Sequence, residues 1–138
     1  EAGGAGVWDF ADAITAANTV KQCGNFMIAA AMEAIGESVA MADKSGIDIE
    51  KMHSFFTQTI FNSTIYINYG NTIVKKAFEP AAFTMQLGLK DMRLVTEQAA
   101  QVQQPMPLAN LLRNNMQQLV DQGKAGIDWS AVSLAASL

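Results

Sequence analysis

The apolar positions Ile14, Ala17, Val20, Met27, Ile28, Ala31, Ile35, Val39 and Ala42 recur at close to the helical period. Asp12 stands before them as a cap, and Lys44, Ser45 and Gly46 give a basic last turn followed by a C-terminal glycine. The pattern predicts one helix of about thirty residues, roughly 45 Å long. Such a helix is covered only if the remaining helices wrap around it or a second subunit lies against it. Gly24 and Gly36 each weaken it by roughly 1 kcal/mol relative to alanine. In so apolar a helix they point to close approach of another backbone or a ligand.

Shorter helical patterns follow. Asp48 caps a second helix, with Glu50 in its first turn and Ile49, Met52, Phe55 and Phe56 directed at a core. Phe61, Asn62 and Ser63 mark a break, and residues 64–76 read as a third helix. Ile65, Tyr66, Ile67 and Tyr69 also suit a strand by local preference, but no partner strand exists elsewhere, so helix is preferred. Residues 77–83 read as a loop, because Pro80 disfavours helix before it. Thr84 caps a fourth helix running to about residue 103, with Met85, Leu87, Leu89, Met92, Leu94 and Val95 as its apolar positions. Pro105 and Pro107 end it and start a fifth, 108–122, which closes at Gly123. Asp128 caps a short last helix containing Trp129 and Val132. The fold class is all-α: one multi-helix domain, 1–138, organised around a long N-terminal helix.

Composition narrows the function classes. Hydrophobic residues make up 50% and charged residues 16%, below the usual quarter, which suits a well-packed core or a buried interface. The net charge of -4, with no basic cluster, argues against a nucleic-acid surface. Cys23 is the only cysteine, so no internal disulfide forms, and a small core residue is its expected role. The start of the chain has neither a basic nor an apolar signal region. The longest apolar run, 26–32, stops at Glu33, too short to span a bilayer. These features describe a soluble protein of cytoplasmic type. The absence of an initial methionine suggests a processed chain or a fragment.

The candidate chemistry sits inside the long helix. Lys21 and Asn25 are one turn apart on one face, an ammonium beside a neutral amide. Such a pair can hold and protonate a small oxygen-rich substrate, although most helix lysines and asparagines are solvated surface groups. Lys90 and Asp91 form a second charged island. Adjacent helix residues do not face each other, so the lysine is free to meet an anionic group while the aspartate fixes a helix end or another side chain. His53, the only histidine, has no ligand set at metal spacing and reads as a satisfied or exposed helix residue. Glu33 and Glu37 lie one turn apart without a Glu-x-x-His motif, and are expected to meet Lys44 or another helix. Gly3, Gly4 and Gly6 follow no strand and make no phosphate-cradling fingerprint. Phe55, Phe56, Phe61, Tyr66, Tyr69 and Phe83 are expected in the core.

Three segments together resemble the β-hydroxyacid dehydrogenases, the family of 3-hydroxyisobutyrate dehydrogenase and glyoxylate/succinic semialdehyde reductase. Ala16-Ala17-Asn18-Thr19-Val20-Lys21-Gln22-Cys23-Gly24-Asn25-Phe26 is similar to that family's catalytic-lysine segment. Phe83-Thr84-Met85-Gln86-Leu87-Gly88-Leu89-Lys90-Asp91 is similar to its Lys-Asp segment near the cofactor. Pro105-Met106-Pro107-Leu108 through Gly126-Ile127-Asp128-Trp129-Ser130-Ala131 is similar to the end of the same domain. Where the family usually places glycines upstream of its lysine, this chain has Asp12, Thr15 and Ala17.

The resemblance implies a C-terminal helical domain like that of 6-phosphogluconate dehydrogenase, serving substrate binding and dimerisation. A Rossmann domain, absent from this chain, would normally precede it. It implies Lys21 as the general acid/base, Asn25 as a substrate hydrogen-bonding residue, and Lys90 against an NAD or NADP cofactor bound mainly by the missing domain. It implies a small carboxylate-bearing hydroxyacid or semialdehyde as substrate, a homodimer or homotetramer, and inactivity of the isolated domain. Which hydroxyacid and which of the two cofactors are determined outside these residues. Two other classes compete: a non-catalytic helical association module, and a metal-carboxylate bundle in which Glu33 and Glu37 converge with further carboxylates.

Overall fold

The computed structural model describes residues 6–10 and 14–137, and among them every regular element is helical. Five α-helices run in order, α1 (Ile14–Lys44), α2 (Ile49–Gln58), α3 (Thr64–Val74), α4 (Met85–Gln101) and α5 (Pro107–Asp121), followed by a 3₁₀ helix, Trp129–Ser137. Asp12, the expected cap of α1, lies outside the described residues. The other local signals act as their chemistry dictates. The Asp48 carboxylate accepts the Lys51 amide at 3.0 Å, and Thr84 Oγ1 accepts that of Leu87 at 3.3 Å. Gly46 and Gly123 take positive φ of 74° and 83° where α1 and α5 stop.

The core forms where α1, α4 and α5 close on the terminal 3₁₀ helix. Met32, Met85, Leu89, Met92, Leu112, Met116, Leu119 and Val132 are fully buried there. The 3₁₀ helix enters this bundle because two glycines admit it. A Cβ on Gly36 would sit 2.6 Å from Ser133 Cα, and one on Gly88 would sit 3.1 Å from Trp129 Cβ. Trp129 is then boxed by Phe83 and Tyr69, with its indole nitrogen donating to the Tyr69 hydroxyl at 3.0 Å. Buried Asp128 anchors the entry, accepting from the amides of Ala82, Phe83 and Ser130 and from the Ser130 hydroxyl.

Coverage differs from the sequence expectation in three places. The first half of α1 is not in the core: Ile14 is 92% exposed and Met27 67% exposed, and the buried positions of α1 begin at Ala29. Cys23, expected as a small core residue, is exposed for the same reason. α2 buries no residue, because it lies at the margin against α3 and one stretch of α1. Phe55 is therefore 61% exposed and Phe61 is exposed as well, while Phe83, Tyr66 and Tyr69 do pack on the core. Glu33 turns inward to Asn115 of α5, which is the other-helix partner among the two expected for it.

Candidate functional site

The uncovered half of α1 carries a polar stripe. Asn18, Lys21, Gln22 and Asn25 follow the i, i+3, i+4, i+7 spacing of one helix face. That face looks across to α4, and Asp91 and Leu94 complete a cleft of about 260 Å³. One bond closes it from the far side: Asn25 Nδ2 donates to Asp91 Oδ2 at 2.8 Å, joining residues 66 apart in the chain. The carboxylate takes one of the two amide protons. The other proton and the amide oxygen of Asn25 are not committed to Asp91. Lys21 is exposed along the same cleft, so its ammonium is free to reach a ligand.

Of the candidate residues, Lys21 and Asn25 therefore share one cleft, while exposed Lys90 is not among its lining residues. Lys90 and Asp91 are consecutive in α4 and point about 100° apart, so the aspartate turns to α1 and the lysine turns away. Asp91, expected to fix a helix end or another side chain but not named among the site residues, holds Asn25. Its register carried the signal: it stands three residues after Gly88 and four before Val95, both buried, whereas Lys90 lies on the outer side.

The other polar candidates serve the fold. His53 Nε2 lies 3.0 Å from the Tyr66 carbonyl, and the ring rests on Gly70, locking α2 to α3. No group of three or more His, Cys, Asp or Glu among the described residues could hold a metal ion. Among the described residues, no helix is long and apolar enough to cross a membrane.

These features define a helical domain with a lysine–asparagine–aspartate cleft between its first and fourth helices. The family described as the NAD-binding domain of NADP-dependent 3-hydroxyisobutyrate dehydrogenase matches residues 15–135. The chain belongs to this family. The uncharacterized oxidoreductase YfjR of Bacillus subtilis (strain 168) is 33% identical over 126 residues, covering 91% of this chain and 44% of that protein. The chloroplastic glyoxylate/succinic semialdehyde reductase 2 of Arabidopsis thaliana is 27% identical over 108 residues, covering 78% of this chain and 30% of its own length. The crystal structure of 3-hydroxyisobutyrate dehydrogenase from Salmonella typhimurium superposes with a TM-score of 0.84 at 26% identity, over 94% of this chain and 45% of that one. The chain thus spans less than half the length of the relatives it matches.

Proposed function

We propose that this chain is the substrate-side domain of an NAD(P)-dependent oxidoreductase acting on a small carboxylate-bearing semialdehyde or hydroxyacid. Lys21 moves the proton, Asn25 binds the substrate oxygen, and Asp91 positions Asn25. The observation that carries the reading is the Asn25–Asp91 bond at 2.8 Å, which fixes an amide beside Lys21 in one cleft.

The donor set fits the reacting end of a nicotinamide cofactor with its substrate. A cleft of about 260 Å³ holds a molecule of a few heavy atoms, and the ammonium and amide beside it suit a carbonyl that becomes an alkoxide. No strand leading into phosphate-cradling glycines lies among the described residues, so the dinucleotide's diphosphate is assigned to a separate Rossmann domain. The exposed Lys90 is assigned to the cofactor side. When bound, the nicotinamide supplies or accepts the hydride.

The chain's own residues handle the oxygen. Asn25, held by Asp91, uses its free amide proton to fix the substrate oxygen within reach of Lys21. The Lys21 ammonium gives its proton as the oxygen gains charge, and the neutral amine takes the alcohol proton in the reverse direction. The exposed apolar side chains Val20, Met27 and Met41 on α1 supply surface for that domain and for a second subunit in a homodimer or homotetramer.

Lys21→Ala, in the protein carrying this chain together with its nucleotide-binding domain, is expected to lower kcat by roughly two to four orders of magnitude, the usual share of a general acid. Helical circular dichroism and Tm stay at their original values. Near-normal turnover by a folded Lys21→Ala variant removes the assignment.

A further inference from the structure

α1 and α5 meet across a buried carboxyl group. Glu33 is 5% exposed, its Oε1 accepts from Asn115 Nδ2 at 3.2 Å, and its Oε2 is buried with no hydrogen-bond partner. Glu37 adds a second carboxyl group one turn further along α1. A buried carboxylate ordinarily faces a cation or collects several donors, because desolvating the charge is costly. Glu33 has a single neutral amide.

Among the described residues, no neighbouring element supplies a cation to Glu33. α3 and the terminal 3₁₀ helix contain no charged residue. On α4, Asp91 holds Asn25, Lys90 and Glu97 are exposed, and Arg93 donates to Gln117. On α5, Arg113 donates to Thr96 and Asp121 accepts from Gln117. On α2, Glu50 and Lys51 are exposed and His53 is engaged with the Tyr66 carbonyl. On α1 itself, Lys21, Asp43 and Lys44 are exposed.

We propose that Glu33 is carried as a neutral acid in the seam between α1 and α5 and acts as a proton-operated latch, so that losing its proton loosens α5 from α1. The direction of its titration agrees: burial and the charge of Glu37 raise its pKa from 4.5 to about 7, against the opposing effect of the Asn115 bond. The folded state then keeps a proton that the unfolded chain has already released. Stability contributed by that proton is intact below pH 4.5, falls as pH rises through the interval to about 7, and is gone above it. The latch lies three turns from Lys21, so it acts through packing and not on the reacting atoms. Its reach to the cleft is indirect: α5 packs on α4, and α4 carries Asp91.

The test compares wild type with Glu33→Gln in denaturant unfolding from pH 4 to 8.5, with amide hydrogen exchange read at pH 5.5 and pH 8. A difference of 2.5 pH units bounds the loss in the wild-type folding constant at about 300-fold. The ratio of variant to wild-type folding constants should climb at least tenfold across that range. Amides of α5 facing α1 should exchange faster in wild type than in Glu33→Gln at pH 8, after correction for intrinsic rates, and equally at pH 5.5. A ratio independent of pH overturns the latch, and so does a pH-dependent ratio with unchanged α5 exchange. Should Glu33→Gln fail to fold, the carbon NMR titration of the wild-type Glu33 carboxyl decides: a midpoint near 7 supports the proposal and one near 4.5 overturns it.

Discussion

α1 is one continuous helix with two different occupations. Its C-terminal half, from Ala29 to Ala42, turns buried positions onto the 3₁₀ helix, α4 and α5. Its N-terminal half leaves Ile14, Val20 and Met27 in the open and sets Lys21 and Asn25 along a cleft. The apolar pattern is much the same in both halves, so coverage, and not hydrophobicity, separates scaffold from site. A rigid buried half lets the other half present polar side chains with defined spacing and no loop to order.

Methionine provides the sharpest contrast, since Met32 is fully buried and Met27 is 67% exposed. Met32→Ala should cost about 2–5 kcal/mol, the usual range for emptying a core methionine. Met27→Ala should stay within about 0.5 kcal/mol, as surface substitutions do. Urea unfolding at unchanged m checks both. Comparable losses at the two positions would mean that the N-terminal half is covered in the free chain after all.

Glycine gives the next contrast, smaller and opposite in sign. At Gly36 an added Cβ meets Ser133 Cβ at 2.5 Å and its Cα at 2.6 Å, and that backbone cannot step aside without moving the 3₁₀ helix. Gly36→Ala should therefore lose roughly 1–3 kcal/mol from overpacking, more than the helix gains from alanine. Nothing lies within 4 Å of a Cβ at Gly24, so Gly24→Ala should gain about 0.5–1 kcal/mol. Thermal unfolding should show Tm moving down for the first and up for the second. If both rise, close approach is not what keeps Gly36 small.

Much of this was legible in the residue order, for reasons that differ by element. The length of α1 followed from period and from Gly46, and the starts of α2 and α4 followed from Asp48 and Thr84, because caps are chemistry between residues three apart. Periodicity names the apolar face of a helix but not whether anything lies on it, which is why Cys23 and Phe55 were expected inside. The tight winding of the last helix was equally hidden, since it depends on Gly36 and Gly88 admitting Trp129 and Ser133 from far along the chain. The Lys21–Asn25 spacing was visible locally. The Asn25–Asp91 pairing was not, because it needs α1 and α4 to pack first.

That pairing yields a smaller loss of stability than emptying Met32 or filling Gly36, and the finest test of the contrast between the halves. Asp91→Ala removes the acceptor for Asn25 Nδ2 at a partly buried position, so the loss should be about 1 kcal/mol. If the N-terminal half is a site and not a scaffold, function should suffer more than folding. In the protein that joins this chain to the nucleotide-binding domain proposed above, Asp91→Ala should lower kcat/KM at least tenfold, while Asp91→Asn, which keeps an oxygen acceptor, should recover part of it. The distribution matters more than the size. A positioning residue that aims Asn25 at the substrate changes kcat/KM with little change in Tm, and its conservative variant rescues in proportion to the restored bond. Equal proportional losses in stability and turnover, with no rescue by asparagine, would make Asp91 a structural tie between α1 and α4 and would leave Lys21 without an oriented neighbour.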